Sequence, residues 1–276
     1  MNILEKIVAH KKRELAERKV KHPVSSLEKD PLFSRATLSL RDSLFDENLT
    51  GIIAEFKRKS PSKGVIHDHA DVLDITSAYT LHGASGISVL TDESFFGGST
   101  EDLRKARKNQ IPILRKDFII DEYQILEARA MGADVILLIA ACLSPAEVKK
   151  LSVFAKKLGL ESLLEVHDER ELGHLCDEVD LLGVNNRDLK TFSVDINRSV
   201  ELIGLIPQEK PAVTESGISD VETIKLLREH GFRGFLVGEN FMKETDPAIA
   251  FASFVNKLKT ASHEGKSMRH DATGPG

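Results

Sequence analysis

From residue 51 onward, short apolar runs alternate with longer amphipathic stretches. The runs are about five residues long and recur about every 26 residues, a spacing that fits repeated strand–helix–strand units. The eight runs are 51–57, 86–90, 111–116, 135–139, 162–166, 181–185, 212–216 and 234–238. We predict that each run is a β-strand and that helices connect the strands.

Capping signals mark several of the predicted helices. Ser144 precedes Pro145, which places an N-cap residue before a proline at the first helical position. Gly132, Gly159 and Gly231 each follow a helical stretch, where a left-handed residue closes the last turn. The helices predicted in this way are 71–82, 122–131, 145–158, 220–230 and 247–259.

The order of these elements predicts the fold. Strict alternation of strands and helices favours a parallel sheet. Eight units favour a closed barrel over an open doubly wound sheet, and no G-x-G-x-x-G turn opens the repeat. The predicted fold is therefore of the α/β class, a (β/α)8 or TIM barrel with an N-terminal helical extension. We expect the extension over 1–50, the catalytic barrel over 51–260 and a disordered tail over 261–276.

Residues 1–19 are predicted to form an amphipathic helix. Ile3, Ile7 and Leu15 fall on one stripe, while Lys11 and other charged residues fall on the opposite face. The basic residues would also suit a helix on a membrane surface, but the interspersed glutamates favour a helix packed on the barrel. Residues 22–50 contain two prolines and several Ser and Asp residues, so we expect a covering segment with short helical pieces.

Composition narrows the choice of partners. The chain has 276 residues, of which 41% are hydrophobic and 29% charged, as expected for one large soluble α/β domain. The net charge of −5 provides no basic field for nucleic acid, so an anionic ligand would need locally placed cations. The N-terminus lacks the apolar stretch of a signal peptide, and no run reaches the length of a membrane span. We therefore expect a cytoplasmic protein with no membrane partner.

Charged residues stand at the ends of several predicted strands, where barrel enzymes carry their active sites. Because side chains alternate across a strand, five of these residues share a face with apolar residues that would point into the barrel. They are Glu55, Lys57, Lys116, Glu165 and Glu215. We expect them to converge at the mouth of the barrel. The alternative is that they form outward-facing pairs or a structural ion network, since isolated buried charges are costly.

Glycines follow the last two predicted strands. Gly217 and Gly238 stand where barrel enzymes often bind phosphate on backbone N–H groups, although turn geometry alone would also explain them. The loop 60–64, Ser-Pro-Ser-Lys-Gly, lies beside the mouth and is a candidate lid, with a plain turn as the alternative. His67 and His69 lack a third ligand at a suitable spacing, so no metal site is expected.

These strand-end segments resemble the indole-3-glycerol phosphate synthase family. The matching segments, in the family's order, are Ile-Ala-Glu-Phe-Lys-Arg-Lys-Ser-Pro-Ser-Lys-Gly at 53–64, Leu-Arg-Lys-Asp-Phe at 114–118, Leu-Glu-Val-His at 164–167, Gly-Val-Asn-Asn-Arg-Asp-Leu at 183–189 and Glu-Ser-Gly-Ile at 215–218. The first motif is highly specific. The resemblance runs from residue 1 to about 259 and includes the N-terminal helix.

The resemblance implies a carboxy-lyase of tryptophan biosynthesis. The family converts 1-(2-carboxyphenylamino)-1-deoxyribulose 5-phosphate to indole-3-glycerol phosphate by ring closure, loss of CO2 and loss of water. The implied catalytic residues are Lys116 as general acid, Glu165 as the matching acid/base, and Glu55 with Lys57 in dehydration. The implied substrate-binding residues are Ser60, Phe118, Asn185, Arg187, Glu215 and Ser216, and the implied phosphate-binding residues are Gly217, Gly238 and Glu239. No cofactor or metal is implied, because no redox step occurs.

Three points stay open at this stage. Small residues often follow the last strand's glycine in this family, whereas Glu239 and Asn240 follow it here, which leaves the phosphate contacts undefined. Neighbouring lysines would lower the pKa of Lys116 and nearby glutamates would raise it, so the direction of its shift is undecided. The competing interpretations are another phosphate-binding barrel, such as a phosphoribosylanthranilate isomerase, and a barrel that binds a ligand without catalysis. We expect a monomer or a weak homo-oligomer that acts on a phosphorylated small molecule.

Overall fold

The computed structural model describes residues 3–61, 63–189 and 191–271, with the side chains of 262–271 excepted. Within this part of the chain, eight parallel strands close into a barrel; each pairs with its successor, and the last pairs with the first. Strands β1 to β8 are Ile52–Phe56, Gly86–Leu90, Ile113–Lys116, Val135–Ile139, Glu161–Val166, Leu181–Asn185, Ala212–Glu215 and Gly234–Val237. The predicted barrel is confirmed. β3 begins two residues later than predicted, after Pro112, which has no N–H for the strand ladder.

Helices surround the barrel. Helices α1 to α12 are Ile3–Lys21, Val24–Leu27, Leu40–Phe45, Val72–Leu81, Glu93–Phe96, Thr100–Ala106, Glu122–Met131, Pro145–Lys157, Asn197–Ile203, Val221–Glu229, Glu239–Met242 and Pro247–Asp271. The predicted α4, α7, α8 and α10 are confirmed to within one residue at each end. Their N-cap side chains, Asp71, Asp121, Ser144 and Asp220, each accept a hydrogen bond from a backbone N–H.

Several short helices within the barrel were not predicted from the sequence. Helices α5, α6, α9 and α11 have four to seven residues, and two 3-10 helices span Ala140–Cys142 and Glu169–His174. So few residues complete fewer than two turns, which is too little for a helical apolar period to stand out. The candidate lid after β1 contains a small antiparallel hairpin, Lys59–Ser60 with Gly64–Val65.

Two apolar clusters form the core, one between the strands and the outer helices and one inside the barrel. The inner cluster includes the inward-facing strand residues Ile53, Leu114, Leu163 and Val213. These are the apolar partners whose alternation places the strand-end charges on the inner face, so the predicted orientation of those strands is confirmed.

Helix α3 closes the N-terminal end of the barrel. Leu40 and Leu44 of α3 belong to the inner cluster, and a Cβ on Gly86 would lie 2.6 Å from Leu40 Cδ1. Glu161, at the start of β5, accepts hydrogen bonds from the backbone N–H groups of Leu40 and Arg41. The barrel is therefore plugged at this end, and the other end is left for a site.

Helix α1 lies at the opposite, C-terminal end of the barrel. Its residues Ile3, Leu4 and Ile7 line the pocket at the barrel mouth. Tyr123 Oη donates hydrogen bonds to the backbone oxygens of Arg18, at 3.1 Å, and of His22, at 2.7 Å. Helix α1 is therefore in contact with α7 and with the pocket at the barrel mouth. Within the described residues, no helix is both long and apolar enough to cross a membrane.

The C-terminal region differs from its prediction. We expected a disordered tail from residue 261, but α12 continues as a helix to Asp271. The segment after Lys259 contains Ala, Glu, Lys, Met and Arg, which favour helices, and its first proline is Pro275. The last part of the predicted tail, 272–276, lies outside the described residues.

Candidate active site

A pocket opens at the C-terminal ends of the strands and contains most of the predicted site residues. Those that line it are Glu55, Lys57, Ser60, Lys116, Phe118, Glu165, Asn185, Arg187, Glu215, Ser216 and Glu239. Gly217 and Gly238 line an adjoining pocket that shares several of these residues. The arrangement brings together residues that are far apart in the sequence, because every strand of a parallel barrel ends at the same rim.

Lys116 lies at the centre of the charged cluster. Its Nζ is 2.9 Å from Glu165 Oε2 and 2.9 Å from Glu215 Oε2. Burial alone would lower the pKa of this lysine, but the charges of the neighbouring glutamates outweigh burial and raise the pKa. The structure therefore decides the direction that the sequence left open, and Lys116 is protonated in the free protein.

The pKa values of the two glutamates beside Lys116 are shifted in opposite directions. Burial raises the pKa of Glu215, and the nearby charge of Glu165 adds to this rise despite Lys116. Burial would also raise the pKa of Glu165, but Lys116 and His167 lower it more. Among the described residues, Glu215 Oε1 has no hydrogen-bond partner. The pair can therefore hold one proton beside an ammonium donor, an arrangement suited to acid–base chemistry.

Glu55 and Lys57 form a second ion pair on the rim. Glu55 Oε1 is 2.9 Å from Lys57 Nζ, and Ser88 Oγ donates to Glu55 Oε2 at 3.1 Å. Burial opposes ionisation of Glu55, but Lys57 and Lys116 lower its pKa overall. A Cβ on Gly238 would lie 2.8 Å from Glu55 Cβ, so glycine is needed there for Glu55 to fit. Lys57 thus stands between the charged cluster and the adjoining pocket.

The side-chain amide of Asn185 connects the C-terminal ends of β6 and β7. Ser216 Oγ donates to Asn185 Oδ1 at 2.9 Å, and the Arg187 N–H donates to the same oxygen at 3.0 Å. Ser216 has a φ of 70°, which is uncommon for a residue other than glycine. Such backbone strain is concentrated at binding and catalytic sites.

The adjoining pocket is rich in cations. Its basic lining residues are Lys57, Lys63, Arg187 and Lys243. The Glu239 carboxylate lies 3.6 Å from Lys63 Nζ and 3.6 Å from Arg187 Nη2. Asn240 Nδ2 donates to the Ser219 backbone oxygen at 3.1 Å. The pocket therefore supplies the local positive charge that the net charge of the chain lacks, and an internal carboxylate partly neutralises it.

The walls of the main pocket are apolar, and the sequence analysis had not assigned most of these residues. They include Leu4, Phe96, Leu137, Ile139, Leu189 and Leu236. The rings of Phe96 and Phe118 lie 5.9 Å apart, between their centroids. Strand alternation could have identified Leu137, Ile139 and Leu236 as inward-facing residues. Helices α1 and α5 and a loop contribute the others. The pocket thus has a flat apolar wall and a charged floor.

A buried network beside the site was also missed. Lys11 Nζ lies 3.0 Å from Asp92 Oδ2 and 3.1 Å from Asp117 Oδ1, and the lysine is 1% exposed. Arg115 Nη2 lies 3.0 Å from Asp117 Oδ2. The prediction that Lys11 belongs to the solvent-facing side of α1 is wrong, because two strand-end aspartates compensate its charge. The signal available in the sequence was the pair Asp92 and Asp117 directly after strand ends.

Comparisons with known proteins identify the family. The family profile described as indole-3-glycerol phosphate synthase matches residues 4–254. A protein of Bacteroides thetaiotaomicron named indole-3-glycerol phosphate synthase is 45% identical over 259 residues, which cover 94% of this chain and 99% of that protein. One of the same name from Bordetella pertussis is 43% identical, and the match covers 92% of this chain and 99% of that protein.

A solved structure supports the fold. The chain resembles the tryptophan synthase subunit alpha of Legionella pneumophila with a TM-score of 0.59 and 15% identity, over 82% of this chain and 98% of that one. At this identity the likeness concerns the barrel alone. The family profile and the relatives above cover nearly the whole chain, and so the protein belongs to the indole-3-glycerol phosphate synthase family.

Proposed function

We propose that the chain closes and decarboxylates 1-(2-carboxyphenylamino)-1-deoxyribulose 5-phosphate to give indole-3-glycerol phosphate. The observation that carries this proposal is the buried Lys116 between two glutamates at the floor of an apolar pocket. A raised pKa keeps the lysine protonated, so it can donate to a carbonyl oxygen as the aromatic carbon attacks. The other rim residues fit the remaining steps.

The distances between the charged residues support the roles that the family resemblance implies for them. Lys116 protonates the carbonyl oxygen, and Glu165, in contact with its Nζ, returns a proton to the amine. Glu55 and Lys57, paired at 2.9 Å, assist departure of the hydroxyl group as water. Glu215 keeps Lys116 in place and, with its raised pKa, is a partner that can share a proton.

The rest of the pocket matches the parts of the substrate. Phe118 and the apolar wall suit the aromatic ring, while Ser60 and Lys57 line the side where its carboxylate would lie. Arg187, Gly217 and Gly238 border the cation-rich pocket that suits the phosphate. Ser216 and Asn185 are joined by a hydrogen bond. They orient the carbon chain of the substrate between its aromatic ring and its phosphate. The reaction transfers protons and releases CO2 without a redox step, so the proposal requires neither cofactor nor metal.

The test is a fluorescence assay of the purified protein with this substrate. We expect the indole product to appear in a metal-chelating buffer without any added cofactor. Binding of the substrate without product would instead indicate a barrel that binds a ligand without catalysis. If the protein gave no product and did not bind the substrate, the proposal would be rejected. A phosphate-binding isomerase would then be the interpretation to test.

A change at Glu239 tests the proposed phosphate pocket. The resemblance implies that Glu239 binds the phosphate, and we propose that its backbone N–H does so, because its carboxylate competes with a phosphate for Lys63 and Arg187. Glu239→Gln should therefore lower the KM for the substrate about two- to fivefold, with kcat unchanged. Steady-state kinetics would measure both constants. The matched control is Glu229→Gln on the exposed side of α10, which removes the same charge far from the pocket. A higher KM for Glu239→Gln would mean that the carboxylate helps to bind the substrate.

We also propose that the protein acts in the cytoplasm as a monomer or a weak homo-oligomer. The chain has no helix suited to a membrane among its described residues, and its net charge of −5 gives no basic surface for nucleic acid. The catalytic pocket is built from one chain. Activity per protomer should therefore stay constant on dilution, and a loss of specific activity at low concentration would contradict this proposal.

A further inference from the structure

We propose that His167 is the proton donor that recharges the Glu165–Lys116 pair in each turnover. This inference rests on the proposed function. It comes from the position of His167 between the catalytic pocket and a second groove at the surface, together with the proton balance of the reaction.

The balance of the reaction requires a proton from outside. The substrate carboxylate leaves as neutral CO2, and the carbonyl oxygen leaves as water with two hydrogens. Closure of the indole ring removes one hydrogen from the substrate, so the second hydrogen of the water comes from solvent. In the proposed mechanism this is the proton that Lys116 gives to the carbonyl oxygen. Lys116 must then be recharged while substrate covers the mouth of the pocket.

His167 lies next to the Glu165–Lys116 pair, on the side of Glu165. Its Nε2 is 3.4 Å from Glu165 Oε1, while Glu165 Oε2 is 2.9 Å from Lys116 Nζ. Nε2 is buried and makes no hydrogen bond to any described residue. A small side-chain movement would bring Nε2 into hydrogen-bond distance of Glu165. His167, Glu165 and Lys116 can therefore pass a proton from one to the next, and Lys116 gives it to the reacting carbonyl.

The other side of His167 faces solvent rather than the substrate. His167 and Glu171 line a groove that is separated from the catalytic pocket by Leu4 and Leu189, which border both. The Glu171 carboxylate accepts from the His167 backbone N–H at 2.7 Å and lies 3.2 Å from Nδ1. Glu171 thus fixes the ring and leaves Nε2 directed at Glu165. Water in the groove can reach the ring while substrate occupies the pocket.

The charges around the ring favour its protonated form. The charged groups that act on it are Glu165 on β5, Glu171 on the second 3-10 helix and Glu215 on β7. The thiol of Cys142, near the same two glutamates Glu165 and Glu171, is kept neutral by burial. Burial would lower the pKa of His167, but these three carboxylates raise it overall. The ring is therefore an imidazolium ion over more of the neutral pH range than a free histidine.

The step is a proton transfer in which no other bond changes. The imidazolium gives its Nε2 proton to Glu165 Oε1 and becomes a neutral ring. Rotation of the Glu165 carboxyl group then carries this proton from the His167 side to the neutral Lys116 amine, which restores the ammonium ion. The neutral ring then turns toward the groove, where its Nε2 takes a replacement proton from water, so one proton enters per turnover.

The decisive experiment compares His167→Gln with the wild-type protein in the fluorescence assay. We expect kcat to fall about tenfold or more, because general acid–base groups contribute at least that much, while KM changes less than twofold. Added imidazole should restore part of the lost kcat in a saturable manner and leave the wild-type kcat unchanged. A merely structural role would not give this rescue.

His174→Gln is the matched control. His174 is the last residue of the 3-10 helix that follows His167, and its ring nitrogens contact the backbone oxygens of Glu171 and Leu143. We expect its kcat to stay within twofold of wild type. A His167→Gln protein with wild-type kcat, or with a loss that imidazole leaves unchanged, would overturn the inference. A wild-type protein without turnover would reject the proposed function itself, and the inference with it.

Glu171→Gln provides an independent variant if His167→Gln does not fold. Removal of this carboxylate lowers the pKa of His167, so the fall of kcat on the alkaline side should move to lower pH. An unchanged alkaline limb would contradict the donor role.

Discussion

Lys116→Ala is expected to abolish turnover while the protein still binds its phosphorylated substrate. The substitution removes the ammonium group that lies 2.9 Å from both Glu165 and Glu215. General acid catalysis and electrostatic stabilisation by a fixed charge together account for large rate factors, so we expect kcat to fall at least about a thousandfold. Phosphate recognition should persist, because the cation-rich pocket lies beyond Lys57 and does not include Lys116.

Two measurements separate catalysis from binding in this variant. Single-turnover fluorescence gives the rate of the chemical step, and isothermal titration with the substrate gives the dissociation constant. Lys63→Ala is a matched control, because it removes an exposed lysine from the adjoining pocket and should weaken binding with little effect on the chemical step. If Lys116→Ala lost binding and turnover in equal proportion, Lys116 would be a binding or structural residue and not the acid.

Lys11→Met should be the most destabilising single change in the N-terminal helix. Lys11 compensates the buried carboxylates of Asp92 and Asp117, and its side chain is 1% exposed. Breaking a buried ion pair by removing one partner costs about 3–5 kcal/mol, because the other charge stays buried. We therefore expect the free energy of unfolding in urea to drop by about this amount. Turnover should fall as well, because Asp117 directly follows Lys116.

The neighbouring residue provides the control for this prediction. Lys12→Met removes an exposed lysine from the same helix and should change the free energy of unfolding by less than about 0.5 kcal/mol. Adding Asp117→Asn to Lys11→Met should recover part of the lost stability. Equal stability of the Lys11→Met and Lys12→Met proteins would mean that the buried network contributes nothing to folding.

The same network predicts the acid sensitivity of the fold. Burial opposes ionisation of Asp117, but Arg115 and Lys11 hold its pKa well below the ordinary value. A carboxyl with a lowered folded-state pKa contributes stability above its unfolded pKa of about 3.9, and loses it as pH falls toward the folded value. In Lys11→Met the folded-state pKa is less depressed, so this carboxyl contributes less stability at neutral pH. Because the protein is then less stable overall, its acid unfolding monitored by circular dichroism should reach its midpoint at higher pH. An unchanged acid midpoint would contradict this coupling.

Much of the site was accessible from the sequence because a parallel barrel has a simple geometry. Glu55, Lys116, Glu165 and Glu215 stand at strand ends, and all strand ends of the barrel meet at one rim. Alternation along each strand then fixed which side chains face inward. These two rules required no knowledge of distances, only of periodicity and order along the chain.

The position of Lys11 could not be inferred in this way. A helical period assigns a charged residue to the polar face, since burial of a charge without a partner is costly. Its partners Asp92 and Asp117 lie about 80 and 106 residues further along, and no local pattern links them to the helix. The same is true of the tail, which was predicted to be disordered because it is polar and has no strong apolar stripe, whereas the helix continues to Asp271.

The sequence alone determined the fold class, the eight strands and the inward face of each catalytic strand, because local periodicity and strand order encode these properties. The tertiary structure alone decided the protonation of Lys116, the buried partners of Lys11 and the placement of His167 behind Glu165. The physical reason is that each of these depends on burial and on through-space distances of about 3 Å between charges from different elements, which act on a pKa in opposite directions. Such balances are set by packing and cannot be calculated from the spacing of residues along a chain.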